Sequence, residues 1–472
     1  MSLLCLLDYR RDAAARDFAG HRFHTASACL ALAIAPLGVV GGEVGLAILL
    51  VASVVRATTL WPLWLEALRT PIAAAFAIFL IWICLSLFWS PDPRHGIDHL
   101  QCVRALLWAP LLYPVLREPS SRIALLLALL TGITVLALTQ LWQWGQFQLD
   151  SGHHVAQVRF GGLHGEVGKA GMWSGAGVCI GAFLCVSPRL SRGMRLAVAV
   201  AMLCCLGGLC ACATLRALAG AAVGLVTAAA LSVAFPPGRD RMSRWWVALP
   251  VAVALTGMWL GAERRWIAEA APRESVGLVG EASASASTTL PSDSRPLSEH
   301  PTDRSAGPGA DRPWYLMVDS LPPRILWWRA SWHAFLQSPV IGRGWGATPT
   351  IVAEYPGGAE FVSRHPRALV QHPDLLSPSQ PHSLYMRTLS EFGGIGALLL
   401  AAIVILVVRN CISAVRCCAE LGGPAAATAL WLVAAGGDTV FNAAVFAAGA
   451  IFMAFTAPVP RDGLSPFMTG RT

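Results

Sequence analysis

GGIGALLLAAIVILVV, residues 393–408, carries no charged side chain over sixteen positions, and Arg409 closes it. As a helix it rises roughly 24 Å at 1.5 Å per residue, close to the thickness of a bilayer's hydrocarbon core. Runs of the same kind recur near 25–40, 44–55, 71–89, 99–116, 122–142, 169–187, 196–213, 217–235, 245–262, 424–436 and 442–457, giving twelve in all. The second and eleventh are short and are expected to be tilted, broken or partly buried. Composition agrees, with 55% hydrophobic and 13% charged residues and a mean hydropathy of +0.57. No water is present in hydrocarbon to satisfy backbone groups, and the apolar runs are continuous rather than alternating. Helices are therefore required, not a barrel. The expected fold is all-α: a polytopic membrane protein with about 12 transmembrane helices.

Arginine orients the chain. Taking alternate loops as one side, the side with the N-terminus carries eighteen arginines, among them Arg22, Arg56, Arg69, Arg117, Arg189, Arg239 and Arg409, against Arg94, Arg159 and Arg216 in the short loops opposite. By the positive-inside rule both termini are cytoplasmic. The chain then divides into residues 1–262, helices 1–9 with short loops; 263–392, a large periplasmic segment between helices 9 and 10; and 393–472, helices 10–12 with a cytoplasmic tail. The first twenty residues mix Asp8, Asp12 and Asp17 with Arg10, Arg11 and Arg16. That is unlike a cleavable signal, so the first span is expected to serve as an uncleaved anchor.

A net charge of +8 does not point to nucleic acid, because the cations are scattered beside apolar spans and all but Lys169 are arginines. Such placement suits topology signals and lipid headgroups, and nucleic acid is excluded as a partner. The thirteen cysteines show no zinc spacing, and residues 263–392 contain none. They read as small buried hydrophobes.

Within the outer segment, residues 268–312 are rich in Ser, Ala, Pro and Thr and read as a disordered insert, while 320–392 reads as helical. In LPPRILWWRASWHAFLQSP, residues 321–339, Ile325, Trp328, Trp332 and Phe335 recur at helical spacing opposite Arg329, His333 and Gln337. This pattern predicts an amphipathic helix on the membrane surface. GRGWG at 342–346 lacks the Gly-Lys-Ser/Thr ending of a nucleotide loop and reads as a turn. PHSLYMRTLSEFGG, residues 381–394, starts a new helix, with Gly393 and Gly394 permitting a bend into the next span.

Few residues here can carry chemistry. Arg216 lies between two spans with hardly any loop, so its guanidinium either snorkels to headgroups or clamps a phosphate, whose oxygens match its planar fork. Arg324 opens the surface helix, and Arg329 follows beside Trp327 and Trp328; each serves either as an anchor or in anion binding. His382 precedes a helix start, whose partial positive charge favours a neutral imidazole able to accept a proton; the alternative is a simple cap. Lys169, with Arg159, His164 and Glu166 close in sequence, reads as an ion-pair anchor or a further part of the anion site. Asp438 and Asn442 are weaker candidates. No HExxH, exposed CxxC or GxSxG occurs.

The stretches ATLRALAG (213–220), PPRILWWRASWHAFLQSPVIGRGWG (322–346) and PHSLYMRTLSEFGGIGALLL (381–400) together resemble the bacterial O-antigen ligase and polymerase superfamily. Its pattern is Ser-Arg-Gly, then Arg…Trp…Pro…Gly-x-Gly, then a His-Asn helix followed by Gly-x-x-Gly. Leu215 and Ala217 stand where the pattern has Ser and Gly, and Ser383 where it has Asn. The resemblance implies transfer of a glycan from undecaprenyl pyrophosphate to a lipid A–core sugar hydroxyl at the periplasmic face of the bacterial inner membrane. It implies no cofactor, metal or nucleotide sugar. Arg216 and Arg324 would hold the pyrophosphate, with Arg329, Lys169 and Arg159 as further substrate contacts, and His382 would take the hydroxyl proton in a single inverting displacement. An O-antigen or exopolysaccharide polymerase and a protein O-oligosaccharyltransferase share the pattern. A polysaccharide or lipid transporter is the alternative of a different class, in which charges deep within spans are expected; Arg104 is the main one here.

Overall fold

The computed structural model describes residues 18–151, 160–212, 214–234, 251–258, 321–364, 375–376, 378, 382–417, 421–435 and 443–456. Arg159, Asp438, Asn442, the 268–312 insert and both termini lie outside the described residues. Among the described residues every regular element is helical: α1 Phe18–Ile34, α2 Val39–Val55, α3 Ala57–Leu68, α4 Pro71–Ser86, α5 Pro93–His99, α6 Trp108–Leu116, α7 Pro119–Ser151, α8 Val167–Leu184, α9 Arg192–Cys212, α10 Leu215–Ala234, α11 Leu321–Gln337, α12 Thr348–Ala353, α13 Gly358–Arg364, α14 Leu384–Cys417, α15 Gly422–Ala435 and α16 Ala443–Thr456. Residues 251–258 are also helical. Five helical segments are long and apolar enough to cross a membrane, or six if the bent pair α2–α3 counts as one span. The chain is an all-helical membrane protein.

α8 is the axis of the bundle, with every residue from Lys169 to Leu184 buried. Its glycines explain how so many neighbours fit. A Cβ at Gly175 would meet Leu430 of α15 at 2.7 Å, at Gly177 Cys205 of α9 and Ile133 of α7, each at 2.7 Å, and at Gly181 Met202 of α9 at 2.7 Å. In lipid, where apolar burial supplies little drive between helices, such close backbone approach supplies the packing. α10 seats on α15 the same way, since a Cβ at Gly224 would come within 2.3 Å of the Ala426 carbonyl oxygen.

Two expected spans differ in detail. The run near 99–116 is not one α-helix: after α5, residues Leu100–Leu107 wind as a 3-10 helix before α6, which begins at Trp108 and carries Pro114. Arg104, in that 3-10 stretch, donates to Glu43 at 2.7 Å, so its charge is paired. α3 was not expected as a separate helix; it turns from α2 by 111° at Arg56.

The bend at Gly393 is present and is the joint between α14 and residues 338–344. Gly393 has φ 65°, a conformation open to glycine. It breaks the helical ladder of α14, and the freed carbonyls all find donors: Ser390 from Arg343 N–H at 2.8 Å, Glu391 from Gly344 N–H at 2.9 Å, and Phe392 from the Trp82 indole at 3.1 Å. In return Gly394 and Ile395 donate to the carbonyls of Pro339 and Val340 at 2.7 and 3.2 Å. Buried backbone groups must be paired, so this exchange ties residues 338–344 to the outer mouth of α14. GRGWG is indeed a turn. Its three glycines have positive φ, and Trp345 is fully buried between Ser86, whose hydroxyl accepts its N–H at 3.2 Å, and Ser90, which donates to its carbonyl at 2.6 Å. The segments that arginine bias puts on one side of the membrane, at 90–98, 162–168, 214–216 and 338–346, thus adjoin one another in pairs.

α11 is helical as expected, but a different face of it packs inward. Leu326, Trp327, Ala330 and Ala334 are buried, whereas Trp332 and Leu336 are exposed. Arg329 and His333 do not stand opposite the aromatic face; both line one groove with Ile325, Trp328 and Trp332. Small Ala330 and Ala334, spaced by four, let α11 approach the body of the protein more closely than a row of tryptophans could.

Candidate anion and base site

Arg216 sits in the first turn of α10, half-buried. Its guanidinium meets α8 by its Nη2 end, where a Cβ at Gly168 would be 2.0 Å from Nη2. Only a glycine leaves room for that placement. One residue on, Lys169 is 7% exposed and ion-paired with Glu166. His164, also buried, has its imidazole held below the usual value, first by burial and then by the Lys169 ammonium. Thr214, buried just before α10, points its hydroxyl at Gly171. Three nitrogen-bearing side chains of Arg216, Lys169 and His164 therefore gather where α8 and α10 both begin, and both helix starts add partial positive charge. This favours an anion.

His382 stands just before α14 with φ 51°, among the described residues the one non-glycine in the left-handed region. Such a conformation costs on the order of 1–3 kcal/mol and persists where its surroundings hold it. The surroundings here are Trp327 of α11, whose ring stacks on the imidazole at 4.9 Å and 22°. That indole is fixed in turn by donating to the Leu375 carbonyl at 2.8 Å. Ser383 starts the helix by accepting the Met386 N–H at 3.3 Å. Arg324 lies in the first turn of α11, half-buried, a turn before Trp327. Arg329 is on the outer face of α11, in the groove rather than beside His382.

A third cluster went unread in the sequence. Arg387 and Glu391 are 1% and 0% exposed and pair at 2.8 Å; Glu391 also accepts from the N–H and hydroxyl of Thr348 at 3.1 and 2.6 Å. The pair welds the helix that follows His382 to the start of α12. Near it, His95 and His99 approach ring nitrogen to ring nitrogen at 3.3 Å. His99 is the last residue of α5, ahead of the winding that leads into α6, and burial, then the Arg387 guanidinium, then His95 hold its imidazole down to about 4. The signals were there, Arg and Glu four apart and His and His four apart, but such pairs are as common on solvated helix faces.

α14 packs on both α10 and α11, so the helix led by His382 adjoins the helices that carry Arg216 and Arg324. Comparison with curated proteins gave no match. Comparison with protein families matches residues 176–401 to the family described as O-antigen ligase, a stretch that holds Arg216, Arg324 and His382. Residues 176–401, which carry the motifs at the starts of α10, α11 and α14, thus form a domain of the O-antigen ligase family, whose members are glycosyltransferase-like enzymes.

Proposed function

We propose that this protein transfers a glycan from undecaprenyl pyrophosphate to a lipid A–core sugar hydroxyl at the periplasmic face of the bacterial inner membrane, within a twelve-span layout whose termini are cytoplasmic. The observation that carries the reading is the placement of Arg216, Arg324 and His382 at three helix starts inside the family domain. The acceptor oxygen attacks the anomeric carbon as its proton passes to the His382 imidazole. The bond from that carbon to the pyrophosphate oxygen breaks, and the anomeric centre inverts. Negative charge grows on the departing diphosphate, where Arg216 and Arg324 stabilise it without any metal; one well-placed donor of this kind contributes roughly 3–4 kcal/mol. The starts of α8 and α10 add partial positive charge beside Arg216.

Purified protein in detergent, given a lipid-linked glycan and a lipid A–core acceptor, is expected to move the glycan to the acceptor. Lengthening of the carrier-bound chain instead identifies a polymerase, and failure of both reactions with intact substrates refutes transfer. Detergent removes any vectorial transport, so product formation there excludes a transporter as the whole explanation. Arg216→Ala, Arg324→Ala and His382→Ala are each expected to abolish transfer while the protein still inserts; full activity in all three refutes the site. His382→Asn keeps a residue that tolerates φ 51° and removes the base, which separates backbone strain from proton transfer.

A further inference from the structure

The outer face of α11 bears a groove of about 430 Å³ walled by Ile325, Trp328, Trp332 and Leu336, with Arg329, His333 and Tyr355 at its polar margin. Trp332 and Leu336 are 49% and 60% exposed, and beyond the helix Val340 and Ile341 continue the exposed apolar strip. That strip is anchored in depth. Val340 accepts the Ile395 N–H where α14 enters its apolar run, and the next turn of α14 exposes Leu398 at 74%. The exposed apolar strip that follows the groove is thus tied by its backbone to the start of a span, and in a membrane protein the exposed side of a span such as Leu398 faces lipid chains. The walls offer two indoles and two aliphatic chains but few hydrogen-bond partners, which suits an acyl chain and not a sugar, whose hydroxyls need partners. Arg329 is exposed at the margin, where indole and guanidinium side chains ordinarily meet the lipid headgroup layer.

We infer that this groove is a seat for a membrane phospholipid, one acyl chain lying along Trp328, Trp332 and Leu336 and the lipid phosphate resting on Arg329. The same helix stacks Trp327 on His382 from its buried face, so the seated lipid fixes the height and tilt of the element that holds the histidine. The lipid is a resident of the bilayer, distinct from the glycan carrier, and its seat does not depend on the transfer reaction.

The test uses the full chain in nanodiscs of phosphatidylglycerol, with a bimane label on Leu336→Cys, a second on Arg364→Cys at the exposed end of α13, and the parent chain labelled in parallel as background. Lipid brominated on its acyl chains is expected to quench the label at 336 at least threefold more than the label at 364, with aqueous iodide giving the reverse order. Arg329→Glu is expected to cut lipid quenching at 336 by half or more. A label at 336 that iodide quenches as well as the one at 364, and brominated lipid does not, overturns the seat in favour of a water-facing groove for sugar or protein. Undiminished lipid quenching in the Arg329→Glu variant overturns the assignment of Arg329 to the phosphate. The readout needs no glycan substrate, so an inactive transferase can still pass it.

Discussion

Arg216 and Arg387 make an instructive pair, because both stand in the opening turns of a helix and both belong to the same family domain, yet their surroundings divide their roles. Arg387 is sealed from solvent and bound to Glu391, which Thr348 also holds. Arg216 is half-buried and lies on the backbone of Gly168. A guanidinium committed to a buried carboxylate is part of the scaffold, since taking it away strands a charge. Arg216, half-buried at the start of α10, is the one proposed to meet an anion that arrives and leaves. Depth of burial separates the two; the residue type does not.

The largest effect expected from this contrast is on folding. Arg387→Ala should cost roughly 3–5 kcal/mol by leaving Glu391 buried and alone, seen as loss of the folded protein or a large fall in Tm in detergent. The paired change Arg387→Met with Glu391→Leu should recover most of that Tm. Arg216→Ala should leave Tm unchanged and lower the transfer rate by roughly 100- to 1000-fold; an equal fall in Tm would place Arg216 with the scaffold. Arg216→Lys should recover only part of the rate, because an ammonium keeps the charge but loses the fork.

A smaller effect concerns pH. The folded-state value of His99 is lowered to about 4, so its contribution to stability is fully present above the unfolded value near 6.5. It is lost as pH falls from there toward 4, when the unfolded chain binds the proton first. Tm should fall across that window, and His99→Gln should flatten the decline. The smallest effect belongs to Gly168→Ala, whose methyl would push the end of a flexible guanidinium aside. The transfer rate is expected to drop up to about tenfold with Tm unmoved, as displacement of a positioned charge predicts.

Much of this was legible in the chain. Apolar runs such as 393–408 announce spans because a bilayer leaves the backbone no other partner, and the break at Gly393 was foreseeable from paired glycines beside a polar helix start. Arg216 stood out because a charge with almost no loop around it needs a reason. Other features were not legible. Which face of α11 turns inward could not be read from hydropathy, since in a membrane protein both the packed face and the lipid face are apolar; Ala330 and Ala334 win the inner side because they are small. The Arg387–Glu391 pair looked like any pair four residues apart until its surroundings closed over it.

The amino-acid sequence by itself determined that this is a helical membrane protein and which superfamily its motifs resemble. Both follow from local hydropathy, charge and spacing. Tertiary structure alone decided that His382 is held at a left-handed backbone by an indole from another helix, that Arg216 rests on a glycine, and that Arg387 is locked away. Each of those depends on contacts between residues tens to hundreds of positions apart, and no local pattern encodes which of several equivalent faces will meet.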